Sequence, residues 1–308
     1  MLWITCLVAI VAPAAEPSTR TMWVYKTEAI MNSPAERDGL FAFCAARHIT
    51  DLFWQMHFTR EGDRFIIKDE PALKSFITAA TAHHLRIHAL SGDPVHALRT
   101  NHDRVLARID ALLAFNHSAP SDAQLAGVHF DIEPHALPEW KKASDTDKAA
   151  MLTQLVELNA RLMDKLHEAK SSLVCGADIV FWLGKTNRDG SLAYPVTFRG
   201  VTKDAASHLL DLIDNVGIMS YRDHAEGPNG IIPLVEKIIA IADNSKGRAF
   251  VGAKMANIGP SMEGFYSRTE PEMMSELKKV DDAFANHRGY AGLAFFTYEA
   301  FKVMPQSR

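Results

Sequence analysis

Along the chain, short apolar runs rich in β-branched and aromatic residues alternate with longer stretches in which apolar positions recur every three or four residues. The first pattern predicts buried strands and the second amphipathic helices. The strand-like runs are Met22–Tyr25, Asp51–His57, Arg86–Ser91, Gly127–Glu133, Leu173–Trp182, Val216–Tyr221, Ala249–Met255 and Gly292–Tyr298. Helical patterns lie between them at Pro34–Ala46, Pro71–His83, Asp103–Phe115, Asp147–Ala169, Ala205–Ile213, Ile232–Ile241 and Pro271–Asn286. Eight β units, seven helices and a closing segment at Phe301 predict the α/β class and a single (β/α)8 or TIM barrel over residues 16–308. Two insertions break the minimal plan: Thr59–Arg64 reads as a hairpin tip after the second strand, and Gly184–Gly200 as a polar loop after the fifth. Both follow the C-terminal ends of strands, so both overhang the rim where barrel chemistry takes place.

The fourth strand carries the candidate chemistry. In Gly127-Val-His-Phe-Asp-Ile-Glu-Pro134, alternation puts Val128, Phe130 and Ile132 on one face and His129, Asp131 and Glu133 on the other. Pro134 has no amide hydrogen for a sheet ladder and so sets Glu133 at the strand's C-terminal end. The Cα atoms of Asp131 and Glu133 lie roughly 6.6 Å apart at strand spacing. Two carboxyls that close in a partly dry rim do not both ionise easily, so one can hold a proton and act as a general acid. The alternative is structural: ion pairs with Lys254 or Arg222 on neighbouring strand ends.

Ala126-Gly-Val-His-Phe-Asp-Ile-Glu133 resembles the fourth-strand signature of family 18 glycoside hydrolases, the chitinase-like barrels, Asp-Gly-x-Asp-x-Asp-x-Glu. The Gly, the last Asp and the Glu match, while Ala126 and His129 stand where the family has Asp. Ile218-Met-Ser-Tyr221 is similar to the family's strand-six Met-x-Tyr-Asp, with Arg222 in place of the Asp. Gly292-Leu-Ala-Phe-Phe296 resembles the eighth-strand segment, with Phe296 for the usual Trp. The resemblance implies that Glu133 is the acid and base, that Asp131 orients the substrate's own 2-acetamido group for attack on the anomeric carbon, and that Tyr221 bonds to that acetamido with Met219 lining the pocket. Side-by-side carboxyls favour this scheme independently, because Asp131 and Glu133 cannot reach opposite faces of one sugar ring. An imidazole at His129 has the chemistry to bond to Asp131 and keep it ionised.

The remaining rim residues have both a substrate and a structural reading. Arg222 reads as an ion pair with Asp223 or Asp131, or as a contact to a carboxylate or sulfate on an acidic sugar. Trp23, Tyr25, Trp54, Trp182, Phe296 and Tyr298 lie near strand ends and could stack on sugars, with Trp182 and Tyr298 expected to be the exposed ones. Glu28 and Glu299 follow the first and eighth strands and offer hydrogen bonds to hydroxyls, with Lys254 as their partner; a structural ion pair is the default for all three. His135 and Trp140 follow the acidic motif on its rim loop and either border the pocket or pack the loop.

Composition narrows the partners. A net charge of −4 and a pI near 6.4 give no broad basic field, which argues against nucleic acid. Leu2–Ala12 is apolar but too short to span a bilayer, and the Ala12-Pro13-Ala14 that follows fits a signal-peptidase site. Residues 1–15 therefore read as a signal peptide and the protein as exported, periplasmic or extracellular, with no integral membrane segment in the mature chain, although no Lys or Arg precedes the apolar core. Removing the leader leaves Cys44 and Cys175, which fall on distant elements and are not expected to bridge. No zinc-ligand spacing is present and the histidines lie scattered on helical patterns, so neither metal nor cofactor is implied. Three functions stay open at this point: an acetamido-assisted glycosidase on an N-acetylhexosamine-containing glycan, an inactive barrel that binds carbohydrate or protein, and a glycosidase on a non-acetylated glycan. The last needs another carboxylate, such as Asp223 or Glu299, facing Glu133 at about 5–5.5 Å or roughly 6.5–9.5 Å.

Overall fold

The alternation of apolar runs and amphipathic stretches is realised as a closed ring of parallel strands in the computed structural model, which describes residues 19–62 and 64–307. The expected leader, residues 1–15, lies outside the described residues. In chain order the strands are β1 (Thr19–Val24), β2 (Asp51–Gln55), β3 (Phe58–Glu61), β4 (Arg64–Ile67), β5 (Arg86–Ser91), β6 (Gly127–Phe130), β7 (Val174–Val180), β8 (Val196–Phe198), β9 (Val201–Lys203), β10 (Asn215–Met219), β11 (Arg248–Lys254) and β12 (Tyr290–Phe296). The helices are α1 (Thr27–Met31), α2 (Pro34–Arg47), α3 (Glu70–Ala82), α4 (His102–Ser118), α5 (Asp145–Glu168), α6 (Ala205–Leu212), α7 (Ile231–Ala242), α8 (Glu270–Phe284) and α9 (Tyr298–Phe301). The barrel closes in the order β1-β12-β11-β10-β7-β6-β5-β2, eight parallel strands surrounded by helices, so the chain is a single (β/α)8 barrel. The antiparallel pair β3–β4 is the expected hairpin after the second barrel strand, and β8–β9 forms a second small hairpin after the fifth. No helix among the described residues is long and apolar enough to cross a membrane.

Strand alternation sorts the apolar residues into two layers. Trp23, Phe53, Leu90 and Phe250 point into the barrel, while Trp54, one residue on from Phe53, points outward and stacks on Phe76 of α3 at 4.0 Å. Val128, Phe130 and Ile132 join the outer, helix-facing layer, as the alternation on β6 requires. Helix starts follow local chemistry: Ser144 and Thr269 form capping boxes with Asp147 and Glu272, and the Asp204 carboxylate accepts from the Ser207 amide. Cys44 and Cys175 are buried free thiols.

Several ladders end earlier than the apolar pattern suggests. The β6 ladder stops at Phe130, so Asp131, Ile132 and Glu133 continue the direction of the strand beyond it. Trp182 lies in a 3-10 turn, Phe181–Gly184, past the end of β7, and Tyr298 opens α9. Hydrophobicity continues past the ladder at these points because the rim turns pack their own apolar side chains.

The β1–β12 seam that closes the ring is tightest at one glycine. Ala249 pairs with Tyr290 and Phe250 with Gly292, so Ala291 is an extra residue in β12. The bulge sets Gly292 at φ 128° against Thr19 of β1. A methyl group there would overlap the Thr19 carbonyl oxygen. We predict that Gly292→Ala destabilises the fold by roughly 2–5 kcal/mol, combining backbone strain with overpacking. Chemical denaturation measures this, and a loss below about 0.5 kcal/mol, the range of neutral surface changes, would contradict the closure argument.

Candidate active site

The site is built by strand register. His129 pairs with Gly176 and Phe130 with Ala177, so continuing β6 sets Asp131 level with Asp178 of β7, on the same inward face. Asp178 in turn pairs with Gly217 of β10, whose missing side chain makes the space the carboxyl occupies; a methyl on Gly217 would overlap Asp178 Oδ1. The same device recurs one step around the barrel, where the His129 ring leans over Gly176. Polar side chains thus enter the barrel by lying across glycines of the next strand.

Asp178 is buried with a side chain only 2% exposed. Its Oδ2 accepts from Trp23 Nε1 at 3.0 Å and its Oδ1 lies 2.9 Å from His129 Nε2. His129 is 1% exposed and stacked on Phe53 at 3.7 Å; burial pushes its pKa down to about 3, so the imidazole is neutral. Strand alternation sets His129 on the face of Asp131, within its expected reach. The structure corrects this: the imidazole reaches Asp178, because the pleat aims residue 129 below the rim and residue 131 at it.

Asp131 and Glu133 sit side by side above this layer. Asp131 Oδ1 is buried with no hydrogen-bond partner among the described residues. Burial raises the Asp131 pKa well above the carboxylate range, and the charges of Asp178 and Glu133 raise it further. Asp178 is raised for the same first reason. Glu133 is partly open, 29% exposed, with Oε2 3.1 Å from His135 Nε2. Neither Lys254 nor Arg222 pairs with these acids. Lys254 Nζ instead donates to the Ile258 carbonyl at 2.7 Å and lies 3.6 Å from Glu263.

Two tyrosines close the mouth. Tyr25 and Tyr221 both have pKa values raised by burial and then by the charges of Asp131, Asp178 and Glu133, so both phenols are protonated donors facing the acid cluster. Phe296 forms the floor, 5.9 Å from the Tyr25 ring, 5.7 Å from Tyr221 and 5.8 Å from Trp23. Met219 and Trp182 flank Glu133, and Trp182 meets His135 edge-on at 5.6 Å and stands 5.9 Å from both Trp140 and Tyr194. His135 therefore borders the pocket, while Trp140 is buried beneath Trp182.

Other expected site residues go elsewhere. Asp223 is held by Arg268 at 2.9 Å and His224 at 2.8 Å, so Arg222 has no ion pair with it. Arg222 Nη1 donates to the Tyr221 carbonyl at 2.6 Å and the guanidinium lies over Phe181. Glu28 pairs with Lys68 at 2.6 Å, and Glu299 accepts from the Tyr25 and Lys26 amides at 2.9 and 2.7 Å, so Lys254 partners neither of them. Tyr298 is buried, 4% exposed, against Phe43, so it offers no sugar platform; Trp23 and Trp54 are core. Sequence reasoning missed Asp178. Its signal was a lone acid inside the apolar run Val174–Val180, a position that hydrophobicity does not explain.

No family model matches the chain, and no curated protein does either. Solved structures do match. The fold is similar to the C-terminal domain of a putative chitinase from Desulfitobacterium hafniense DCB-2, with a TM-score of 0.59 at 12% identity over 91% of this chain and 93% of that one. It is similar to a β-mannanase from the blue mussel Mytilus edulis, with a TM-score of 0.57 at 10% identity over 91% and 86%. A glycoside hydrolase family 18 N-acetylglucosaminidase from Paenibacillus barengoltzii matches at 0.53 and 12% identity over 92% and 96%. The chain therefore has a glycoside-hydrolase-like barrel fold, with the chitinase-type barrels among its neighbours. At these identities the likeness is one of fold, and the chemistry has to be read from the site.

The buried groups fix the pH dependence of stability. Asp178 has a raised folded pKa, so the unfolded chain releases its proton first and stability falls as pH rises from about 4 toward the folded value. His129 has a depressed folded pKa, so stability falls as pH drops below about 6.5. Asp178→Asn, which mimics the protonated acid, removes only the first effect. We predict that variant and parent melt alike below about pH 4 and that the variant melts higher at pH 7. Thermal melts across that span check it, and a variant that melts lower at pH 7 contradicts the raised pKa.

Proposed function

We propose that the protein is a glycoside hydrolase that cleaves an N-acetylhexosamine-containing glycan with the substrate's own acetamido group as nucleophile. The observation that carries this reading is the side-by-side Asp131–Glu133 pair, in which Asp131 keeps a buried, unpartnered oxygen, Glu133 is open to solvent and the buried Asp178 carboxyl stands behind. Glu133 protonates the glycosidic oxygen as the bond to the anomeric carbon breaks. Asp131 orients the acetamido and stabilises the charge on its nitrogen as the carbonyl oxygen attacks that carbon. Tyr221 donates to the acetamido carbonyl, and Glu133, now a carboxylate, takes a proton from the water that opens the cyclic intermediate.

Asp178 supports the reading further. The position that holds an Asp in the resembling signature is His129 here, but the neighbouring strand supplies a buried carboxyl level with Asp131. We assign it the role of raising the Asp131 pKa and thereby keeping a proton in the pair. The two-carboxylate alternative is less well supported, because Asp223 and Glu299 are engaged by Arg268 and His224 and by two backbone amides. An inactive binding barrel has no use for a cluster of carboxyls that costs stability.

Release of reducing ends from chitin, peptidoglycan and non-acetylated glycans tests the proposal. Glu133→Gln is expected to lose about 100- to 10,000-fold in rate on an acetamido substrate. Equal rates in both proteins, or glycan binding without cleavage by either, contradict it. We also propose export, from the apolar leader and small-residue site at residues 1–15. The exported form is then expected to have a mass that begins after the leader, and a mature protein retaining Met1 contradicts this.

A further inference from the structure

Beside Asp131 the barrel mouth has a cationic wall that the acid/base chemistry does not use. The β3–β4 hairpin packs against α4 at the rim, and a cleft of about 490 Å3 opens there, lined by Tyr25, His57, Phe58, Arg104, Arg108 and Asp131 among others. That volume lies in the range of small-molecule sites.

Arg104 and Arg108 are one helical turn apart on α4 and therefore share a face. Their guanidinium groups lie over Phe65 at 5.9 and 5.1 Å, and that of Arg108 is also 5.7 Å from Phe58. Neither has a carboxylate at salt-bridge distance among the described residues. The neighbouring charges are otherwise engaged: Lys68 pairs with Glu28, Arg60 donates to the Gly62 carbonyl, and Asp93 accepts from the Val95 amide. Arg108 Nη1 makes long contacts to Ser91 Oγ at 3.3 Å and His96 Nε2 at 3.4 Å, and its buried Nε has no acceptor.

Stacking alone accounts for the aromatic faces. It does not account for two like charges held side by side, one of them half-buried with an unfilled donor, since that arrangement costs desolvation and repulsion together. Guanidinium groups so placed are matched by a planar or tetrahedral oxyanion. Arg222, the residue for which the sequence suggested an acidic sugar, does not line this cleft.

We propose that Arg104 and Arg108 form a subsite for an anionic substituent, a carboxylate or a sulfate ester, on a sugar unit adjoining the one that Asp131 and Glu133 engage. The inference rests on the glycosidase reading and deepens it by naming an acidic glycan as the substrate class. Arg108 offers its guanidinium charge to the oxyanion from the cleft wall, and the exposed Arg104 adds charge from the rim.

The test measures binding by calorimetry in the Glu133→Gln background, where cleavage does not interfere. Three oligosaccharides of equal length are compared: a neutral N-acetylglucosamine oligomer, one bearing a carboxylate and one bearing a sulfate ester. At least one anionic ligand is expected to bind tenfold or more tighter than the neutral one, and which of the two does so identifies the anion. Adding Arg108→Gln or Arg104→Gln is expected to remove that preference while neutral affinity changes less than about threefold. Added salt is expected to erode the preference as well, because it screens the rim charge. Arg104 is exposed, so its variant keeps the fold testable if Arg108→Gln loosens the hairpin. Binding of the neutral oligomer with no anionic preference, or an equal loss for all ligands in the Arg104 variant, overturns the subsite and leaves the glycosidase reading standing. Failure of every oligosaccharide to bind overturns both.

Discussion

The structure depends on one constraint: three carboxyls, Asp131, Glu133 and Asp178, share a barrel mouth too dry for all of them to ionise. Burial is the largest cause of the raised Asp131 and Asp178 values, and mutual charge adds to it. A barrel normally fills this interior with branched aliphatics. Here Trp23 and the neutral His129 hold Asp178 in place, and Gly217 leaves the room for it. The result is a fold that gives up some stability near neutral pH in exchange for a retained proton at the rim, where Glu133 is open to a ligand.

The surroundings of that proton are built to leave it undisturbed. Cations that might have neutralised the acids are tied elsewhere: Lys254 to the Ile258 carbonyl and Glu263, Arg222 to the Tyr221 carbonyl, and Arg268 to Asp223. Tyr25 and Tyr221 face the cluster as donors, and Phe296 closes the floor without adding charge. His135 reaches Glu133 from the solvent side. On the Asp131 side the cleft widens toward Arg104 and Arg108, so the two sides of the carboxyl pair face different chemistry.

Much of this was legible in the sequence. The eight strands could be placed because a strand buried on both faces reads as an unbroken apolar run, and Pro134 marked the end of the acidic one. Alternation put His129, Asp131 and Glu133 on one face, and the structure brings Asp131, Glu133, Tyr221, Met219 and Phe296 together. What the sequence did not reveal is contact between strands. The partner of His129 depends on the register of β6 with β7, and neither Asp178 nor the fate of Arg222 follows from spacing along one strand. Tyr298 looked like an exposed platform because its exposure is decided by α9, a short helix whose start at Thr297 the apolar run conceals. Arg104 and Arg108 are not distinguished by spacing along the chain, because what sets them apart is the β3–β4 hairpin whose Phe65 lies against both.

The most direct measurement of the central claim is a titration of the aspartate carboxyl carbons by NMR in selectively labelled protein. The account predicts two aspartates, assigned to Asp131 and Asp178 by their loss in Asp131→Asn and Asp178→Asn, that titrate well above the ordinary carboxylate range. If every aspartate carboxyl is ionised by about pH 5, as unperturbed side chains are, the mouth holds no retained proton and the account fails.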